Sequence, residues 1–192
     1  NLALDLAETL GIRHHFFEAG KLVAGTSARA AALPENNIYG GESPCALQKG
    51  EVRMTGGLGL VAQMVVDTHF VTRGRFGRLV QVVAGNPRLI GIGLSEDTGI
   101  LFTDGDKFTV LGSGLVMVVD GKGIGFMNVT EVEVMQPFSI ENIKVHVLSS
   151  GAGYDLETRT FFPPPPRPPA PADAGPAAAA SPRAARAALN NQ

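Results

Sequence analysis

Short apolar runs separated by glycine, proline and polar residues make up the first part of the chain. Between residues 2 and 17 the apolar positions recur about every 3.6 residues, which predicts an amphipathic helix ending at Gly20. Residues 21–24 form a short apolar run that predicts a buried strand, and residues 27–33 favour a helix that ends before Pro34. A strand, a tight turn and a helix are thus expected in direct succession.

The remainder of the chain becomes richer in predicted strands. Residues 34–59 are rich in Gly, Pro and Asn and predict a long loop. A strand is predicted over 63–67, and a helix over 76–84 that Asn86-Pro87 closes. Further apolar runs, punctuated by Gly and Asp, predict strands and hairpins at 90–94, 99–102, 108–111, 115–120 and 129–134. The pattern predicts an α/β architecture that becomes β-rich toward its end.

Composition divides the chain into a folded part and a tail. After Phe162 the sequence changes to four prolines and then to Pro and Ala, so residues 1–162 are predicted to form one domain and residues 163–192 a disordered tail. The 192 residues carry a formal net charge of -2. Because three arginines and one aspartate lie in the tail, the folded part is mildly acidic, which disfavours nucleic acid as a partner.

Membrane and disulfide classes are also disfavoured. Apolar runs stay shorter than the roughly 20 residues that cross a bilayer, so no membrane partner is expected. The single cysteine, Cys45, cannot form an internal disulfide. We expect a cytoplasmic protein; secretion stays open because the sequence begins at Asn1 rather than Met.

Ser27 is the first candidate for chemistry. It lies in the turn 25–29, between a predicted strand and a predicted helix, which is the setting of a nucleophile elbow. There the helix amino terminus and the N–H of the next residue, Ala28, can stabilise an oxyanion. The ordinary alternative for a serine in such a turn is a helix cap.

His69 and Glu96 each follow a predicted strand. The carboxyl ends of strands in an α/β sheet gather active groups, which suits His69, after the strand 63–67, to act as a general base. Glu96, after the strand 90–94, can hold a histidine in the required tautomer. Taken alone, the segment around Glu96 would be interpreted as a turn.

Arg73, Arg75 and Arg78 form a dense arginine cluster behind His69. Such a cluster binds carboxylates bidentately or contacts RNA phosphates, whereas its ordinary interpretation is a solvated helix start. We favour carboxylate recognition or loop anchoring because of the acidic body. The glycine pattern at 57–62 follows a loop and runs into a strand, unlike a dinucleotide fingerprint, and the His and Cys spacings offer no metal site.

Taken in order, these segments resemble the cyanophycinase family. The resemblance covers 21–158 and rests on the segments 23–28, 57–60, 67–79, 91–98 and 145–149. It implies a three-layer αβα sandwich of the class I glutamine amidotransferase-like type, with added β-hairpins toward the carboxyl terminus. It also implies a serine exopeptidase that hydrolyses cyanophycin, an arginyl-polyaspartate, to β-Asp-Arg dipeptides without a metal or organic cofactor. A peptide substrate and a homodimer are the implied partners.

The resemblance also implies a role for each candidate residue. Ser27 would attack the backbone carbonyl, His69 would take and return the proton, and Glu96 would orient His69. The family's substrate contacts carry over to Asp67, Thr68, Arg73, Arg75 and Arg78. In this assignment Asp67 meets a substrate guanidinium, and the arginines meet aspartyl carboxylates.

Departures from the family pattern keep other functions open. Arg29 stands where the family has glycine; a side chain at this position can force the elbow open and displace Ser27, and whether Arg29 does so stays open. Thr68 replaces the usual glutamine, which favours a peptidase for other aspartyl peptides. The family's amino-terminal strands, which supply half of the oxyanion hole, are not expected in this chain. The alternatives are a truncated or degenerate non-catalytic homologue and an RNA-binding module that uses the arginine cluster.

Overall fold

The fold is built around one central sheet. The computed structural model describes residues 11, 15, 17–41 and 43–166. The helices that matter for the site are α1, Ala28–Ala32, and α2, Phe76–Gly85. The strands in chain order are β1 Pro34–Gly40, β2 Arg53–Gly56, β3 Val61–Thr68, β4 Ile90–Leu94, β5 Thr98–Asp104, β6 Lys107–Gly112, β7 Val116–Asp120, β8 Phe126–Met127, β9 Ile140–Glu141, β10 Lys144–Leu148, β11 Gly153–Asp155 and β12 Thr160–Phe162.

The central sheet is mixed. Its six strands lie in the order β10-β7-β4-β3-β1-β2. The middle strands β1, β3 and β4 are parallel, and antiparallel strands complete both edges. A second, antiparallel sheet has the order β12-β11-β6-β5, and β8 pairs with β9. This arrangement confirms the predicted α/β class with β-hairpins in the later part of the chain.

The two faces of the central sheet have different coverings. Because successive side chains of a strand point to opposite faces, Met64 and Val65 contribute to different cores. Met64 packs in one core with Ile92 and with Phe108 of the second sheet. Val65 packs in the other with Leu79 of α2. The described residues thus place α2 on one face and the second sheet on the other, and the predicted αβα sandwich is not confirmed in this form.

Strand β4 explains how closely α2 and the segment before it approach the sheet. Its sequence alternates large apolar residues with Gly91 and Gly93. A Cβ on Gly91 would lie 2.7 Å from Leu79 Cγ, and one on Gly93 would lie 2.6 Å from Phe70 Cε1. Glycine is therefore required where Leu79 and Phe70 pack. Since Phe70 directly follows His69, this packing extends to the candidate site.

Most predicted elements after residue 60 are confirmed. The structure has the helix predicted at 76–84 and, before it, the helix predicted at 27–33. It also has strands whose two ends each lie within two residues of those predicted at 63–67, 90–94, 99–102, 108–111 and 115–120. The predicted helix 2–17 lies largely outside the described residues, as does the predicted tail beyond residue 166.

Three predictions were wrong, each because pairing depends on distant residues. Residues 21–24 form no strand and Leu22 is 81% exposed; β3 already has β1 and β4 as neighbours. Residues 34–59 are not a loop, since they contain β1 and β2. Residues 129–134 form turns, in which the N–H groups of Glu131 and Val132 bond to the Asn128 carbonyl.

Among the described residues, no helix has the length and apolar character needed to cross a membrane.

Replacing Gly93 tests the close packing of Phe70. Gly93→Ala should lower the free energy of unfolding by roughly 1–3 kcal/mol, because the added methyl group overlaps the Phe70 ring. Gly99→Ala in β5 is the matched control: its Cβ would meet no atom within 4 Å, and it should change stability by less than about 0.5 kcal/mol. Urea unfolding followed by circular dichroism measures both. Equal stabilities of the two variants would contradict the packing argument.

Candidate active site

Ser27 lies in a sharp turn directly before α1. Its backbone has φ 49° and ψ -124°, which residues with a Cβ rarely adopt. A Cβ on Gly25 would lie 2.8 Å from the carbonyl atoms of Arg29, so glycine is required for the turn to close. The side chain of Arg29 is exposed, and the crowded position is Gly25. The Ser27 side chain makes no capping hydrogen bond to the helix, so the helix-cap alternative is not what the structure contains.

Three residues predicted from the sequence form one hydrogen-bonded chain, Ser27–His69–Glu96, which we call the relay. Ser27 Oγ lies 3.2 Å from His69 Nε2, and His69 Nδ1 lies 3.1 Å from Glu96 Oε1. The three residues come from separate parts of the chain: the turn before α1, the end of β3 and the turn between β4 and β5. A hydroxyl, an imidazole and a carboxylate in this order have the geometry of a nucleophile, its base and the group that orients the base.

The turn that carries His69 is bonded to strand β4 and closed by a hydrogen bond of its own. The N–H of Phe70 bonds to the Leu94 carbonyl at 3.0 Å, and Phe70 itself is only 1% exposed. The N–H of Arg73 bonds to the His69 carbonyl, also at 3.0 Å. His69 has φ 54°, a left-handed conformation that this framework maintains. The backbone that carries the His69 imidazole is therefore fixed by these hydrogen bonds and by the burial of Phe70.

Asp67, two residues before His69, is a buried ion-pair partner. Its side chain is 2% exposed and accepts hydrogen bonds from Arg75 and Arg78. Arg78 uses both Nε and Nη2, and Arg75 Nη1 also donates to the Thr68 carbonyl at 2.6 Å. Burial lowers the pKa of the Arg75 guanidinium, whereas the charge of Asp67 acts in the opposite direction. The cluster thus joins the end of β3 to the start of α2.

A cleft of about 310 Å³ opens beside the relay. It brings together the predicted nucleophile, base, oxyanion and substrate residues with three members of β1 that the sequence did not suggest. Its lining residues are Ser27, Ala28, Ala31, Asn37, Ile38, Tyr39, Asp67, Thr68, His69, Arg73, Arg75 and Arg78. The β1 residues were missed because their segment was predicted as a loop. Within the part of the chain that the structure describes, no cluster of His, Cys, Asp and Glu is arranged to hold a metal ion.

Thr72 is a further site residue that the sequence did not reveal. Its Oγ1 lies 2.5 Å from Glu96 Oε1 and 3.2 Å from the His69 carbonyl oxygen. The Thr72 hydroxyl, followed by the Glu96 backbone N–H and then His69, holds the pKa of the Glu96 carboxyl below its usual range. The one local signal in the sequence is that Thr72 lies three residues after His69 in a turn. Threonine is common at such positions, so the signal does not single out Thr72.

Comparison with known proteins finds cyanophycinases as relatives. The chain is 37% identical to the cyanophycinase of Synechococcus elongatus over 147 residues, which are 77% of this chain and 46% of that protein. It is 39% identical to that of Trichormus variabilis over 141 residues (73% and 47%), and 35% identical to that of Geminocystis herdmanii over 136 residues (71% and 50%). No family model matches. The chain spans about half the length of the curated relatives it matches.

The buried carboxylate is the most direct test of the site's framework. Asp67→Asn should destabilise the fold by about 3 kcal/mol, because it leaves Arg78 and part of Arg75 buried without a compensating charge. Asp106→Asn, the same change at an exposed position, should cost less than about 0.5 kcal/mol. Urea unfolding monitored by circular dichroism compares the two. Similar midpoints and slopes would show that the ion pair does not support the framework.

Proposed function

We infer, from the premise that the chain belongs to a cyanophycinase-like family, that it carries the catalytic residues of a serine-type peptidase acting on cyanophycin. The observation that carries this proposal is the Ser27–His69–Glu96 relay, with contacts of 3.2 and 3.1 Å. The parallel strands β1, β3 and β4 with an elbow before α1 support the finer proposal of a glutamine amidotransferase-like fold in the whole protein. The homodimer and the cytoplasmic location stay predictions.

The proposed reaction is acyl transfer through Ser27. His69 Nε2 accepts the hydroxyl proton while Ser27 Oγ attacks the backbone carbonyl of the substrate, and Glu96 stabilises the imidazolium that forms. The N–H of Ala28 donates to the oxyanion. His69 then gives the proton to the amine as the peptide C–N bond breaks. The acyl part of the substrate stays on Ser27 as an ester. Water, deprotonated by His69, hydrolyses that ester and releases the dipeptide.

The charges around the cleft support a substrate that carries free carboxylates. Asp67 is the one carboxylate among the described lining residues, and it is shared by Arg75 and Arg78. Arg73 lines the same cleft and is exposed. Three guanidinium groups and one carboxylate thus line the described cleft, and we propose that Arg73 meets a carboxylate of the substrate, such as the α-carboxylate of an arginine residue in cyanophycin. Asp67 then acts on the substrate through the orientation of Arg75 and Arg78.

The same charge balance favours a second candidate, a peptidase for other aspartyl peptides. With both Asp67 oxygens engaged, the cleft offers more partners to a carboxylate than to a substrate guanidinium. Thr68 supports this candidate because its side chain is shorter than the family's glutamine. Rates on cyanophycin and on plain aspartyl dipeptides distinguish the two candidates. The RNA-binding alternative loses support, since Arg75 and Arg78 bond to Asp67 rather than lying free for phosphates.

Replacing the nucleophile tests the proposal. Ser27→Ala should reduce peptide hydrolysis about ten-thousand-fold or more without unfolding the chain, because it removes only the attacking oxygen. Ser150→Ala, at an exposed position, should leave the rate unchanged. A fluorophosphonate probe should label Ser27 in the unmodified chain, as peptide mapping would show, and labelling should disappear in His69→Ala. Undiminished hydrolysis by Ser27→Ala would reject the assignment.

A further inference from the structure

The Thr72 hydroxyl has two acceptors within reach and one proton. Its oxygen is 2.5 Å from Glu96 Oε1 and 3.2 Å from the carbonyl oxygen of His69. A hydroxyl donates one hydrogen bond, and the shorter contact to an ionised acceptor is the stronger of the two. The proton therefore points to Glu96. The His69 carbonyl oxygen then lies near the hydroxyl oxygen without receiving a hydrogen bond from it, which places Thr72 beside the backbone of the residue that Glu96 must orient.

Glu96 requires such a support because it is not enclosed by the protein. Its side chain is 42% exposed and that of His69 is 36% exposed. An exposed pair of this kind is screened by water and loses side-chain freedom when it forms, so it holds its own geometry weakly. A second hydrogen bond to the same oxygen, from a residue in the His69 turn, restricts the rotation of the carboxylate. Glu96 Oε1 is thereby kept near His69 Nδ1.

We propose that Thr72 is a positioning residue of the relay, which keeps Glu96 directed at His69. The inference rests on the proposed function, because a positioned Glu96 matters only where His69 acts as a base. Oriented in this way, Glu96 accepts the Nδ1 proton of His69 and leaves Nε2 free to accept the proton of Ser27. Thr72 is not among the residues that line the cleft, and its hydroxyl contacts Glu96 and the His69 carbonyl rather than Ser27.

The backbone of the turn does not rely on the Thr72 side chain. The N–H groups of Arg73, Gly74 and Arg75 bond to the carbonyls of His69, Val71 and Phe70 at 3.0–3.1 Å. Thr72 is also exposed. Thr72→Val, which keeps the shape and removes the hydroxyl, is therefore expected to fold. Thr72→Ser keeps the hydroxyl and is the matched control.

A double-mutant cycle with Glu96 separates positioning from a general structural role. Thr72→Val should lower kcat about ten-fold with little change in KM, as is typical when a supporting hydrogen bond is lost, and Thr72→Ser should restore most of the rate. In a Glu96→Gln background, Thr72→Val should cost little more, because the group through which it acts has changed. A full ten-fold loss in that background would overturn the inference.

Carbon-13 NMR of the Glu96 carboxyl gives a readout that does not need turnover. The hydroxyl favours the ionised form, so Thr72→Val should raise the pKa of Glu96, and Thr72→Ser should not. His69, the titratable group in contact with Glu96, is followed in the same titration.

The two proposals fail in different ways. An unchanged Glu96 pKa in Thr72→Val would overturn the role of Thr72, even if the chain hydrolyses peptides. A raised Glu96 pKa in a chain that neither hydrolyses peptides nor reacts with the fluorophosphonate probe would support the hydrogen bond and overturn the proposed function. A raised pKa together with the loss of kcat would support both.

Discussion

The buried carboxylate of Asp67 is the constraint on which the rest of the site depends. A carboxylate that is 2% exposed is stable only when its charge is balanced and its oxygens are hydrogen-bonded. Arg75 and Arg78 supply both, and they come from the turn after β3 and from α2. The ion pairs therefore fix both ends of the segment from Asp67 to Arg78, since each end is bonded to the other. His69 and Thr72 lie within that loop, so their positions follow from it.

Close packing at glycines and unusual backbone angles position the segments that carry Ser27, His69 and Glu96. Gly93 admits the Phe70 ring beneath His69, and Gly25 admits the start of α1 beneath Ser27. Each of the three relay segments also has a non-glycine residue with positive φ: Ser27 at 49°, His69 at 54°, and Asp97, next to Glu96, at 51°. Such conformations persist only where packing imposes them, and they concentrate at functional sites. The backbone of each relay segment is thus fixed by the packed fold.

Local patterns in the sequence were sufficient for the parts of the fold that local physics determines. The elbow helix, α2, β3 and β4 could be predicted from apolar periodicity and helix ends, and the ordered motifs indicated Ser27, His69 and Glu96. Strand pairing was a different matter. The polar segment at 34–40 forms β1 by pairing with β3, which is distant in sequence, while the more apolar segment at 21–24 does not join the sheet. Neither Thr72, which follows no period, nor the burial of Asp67 could be derived from neighbouring residues.

The three members of the relay are not equally constrained, and this difference bears on catalysis. His69 is held by Phe70 and by the turn, and Glu96 by Thr72. Ser27 is held through the close packing of Gly25 against Arg29, but in the described part of the chain residues 21–26 join no sheet, and residues 21–25 line an apolar cavity of about 620 Å³. This segment lacks the strand pairing that fixes the backbone beside His69 and Glu96. Where substrate contacts fix it further, part of the binding energy is spent on placing Ser27 rather than on affinity.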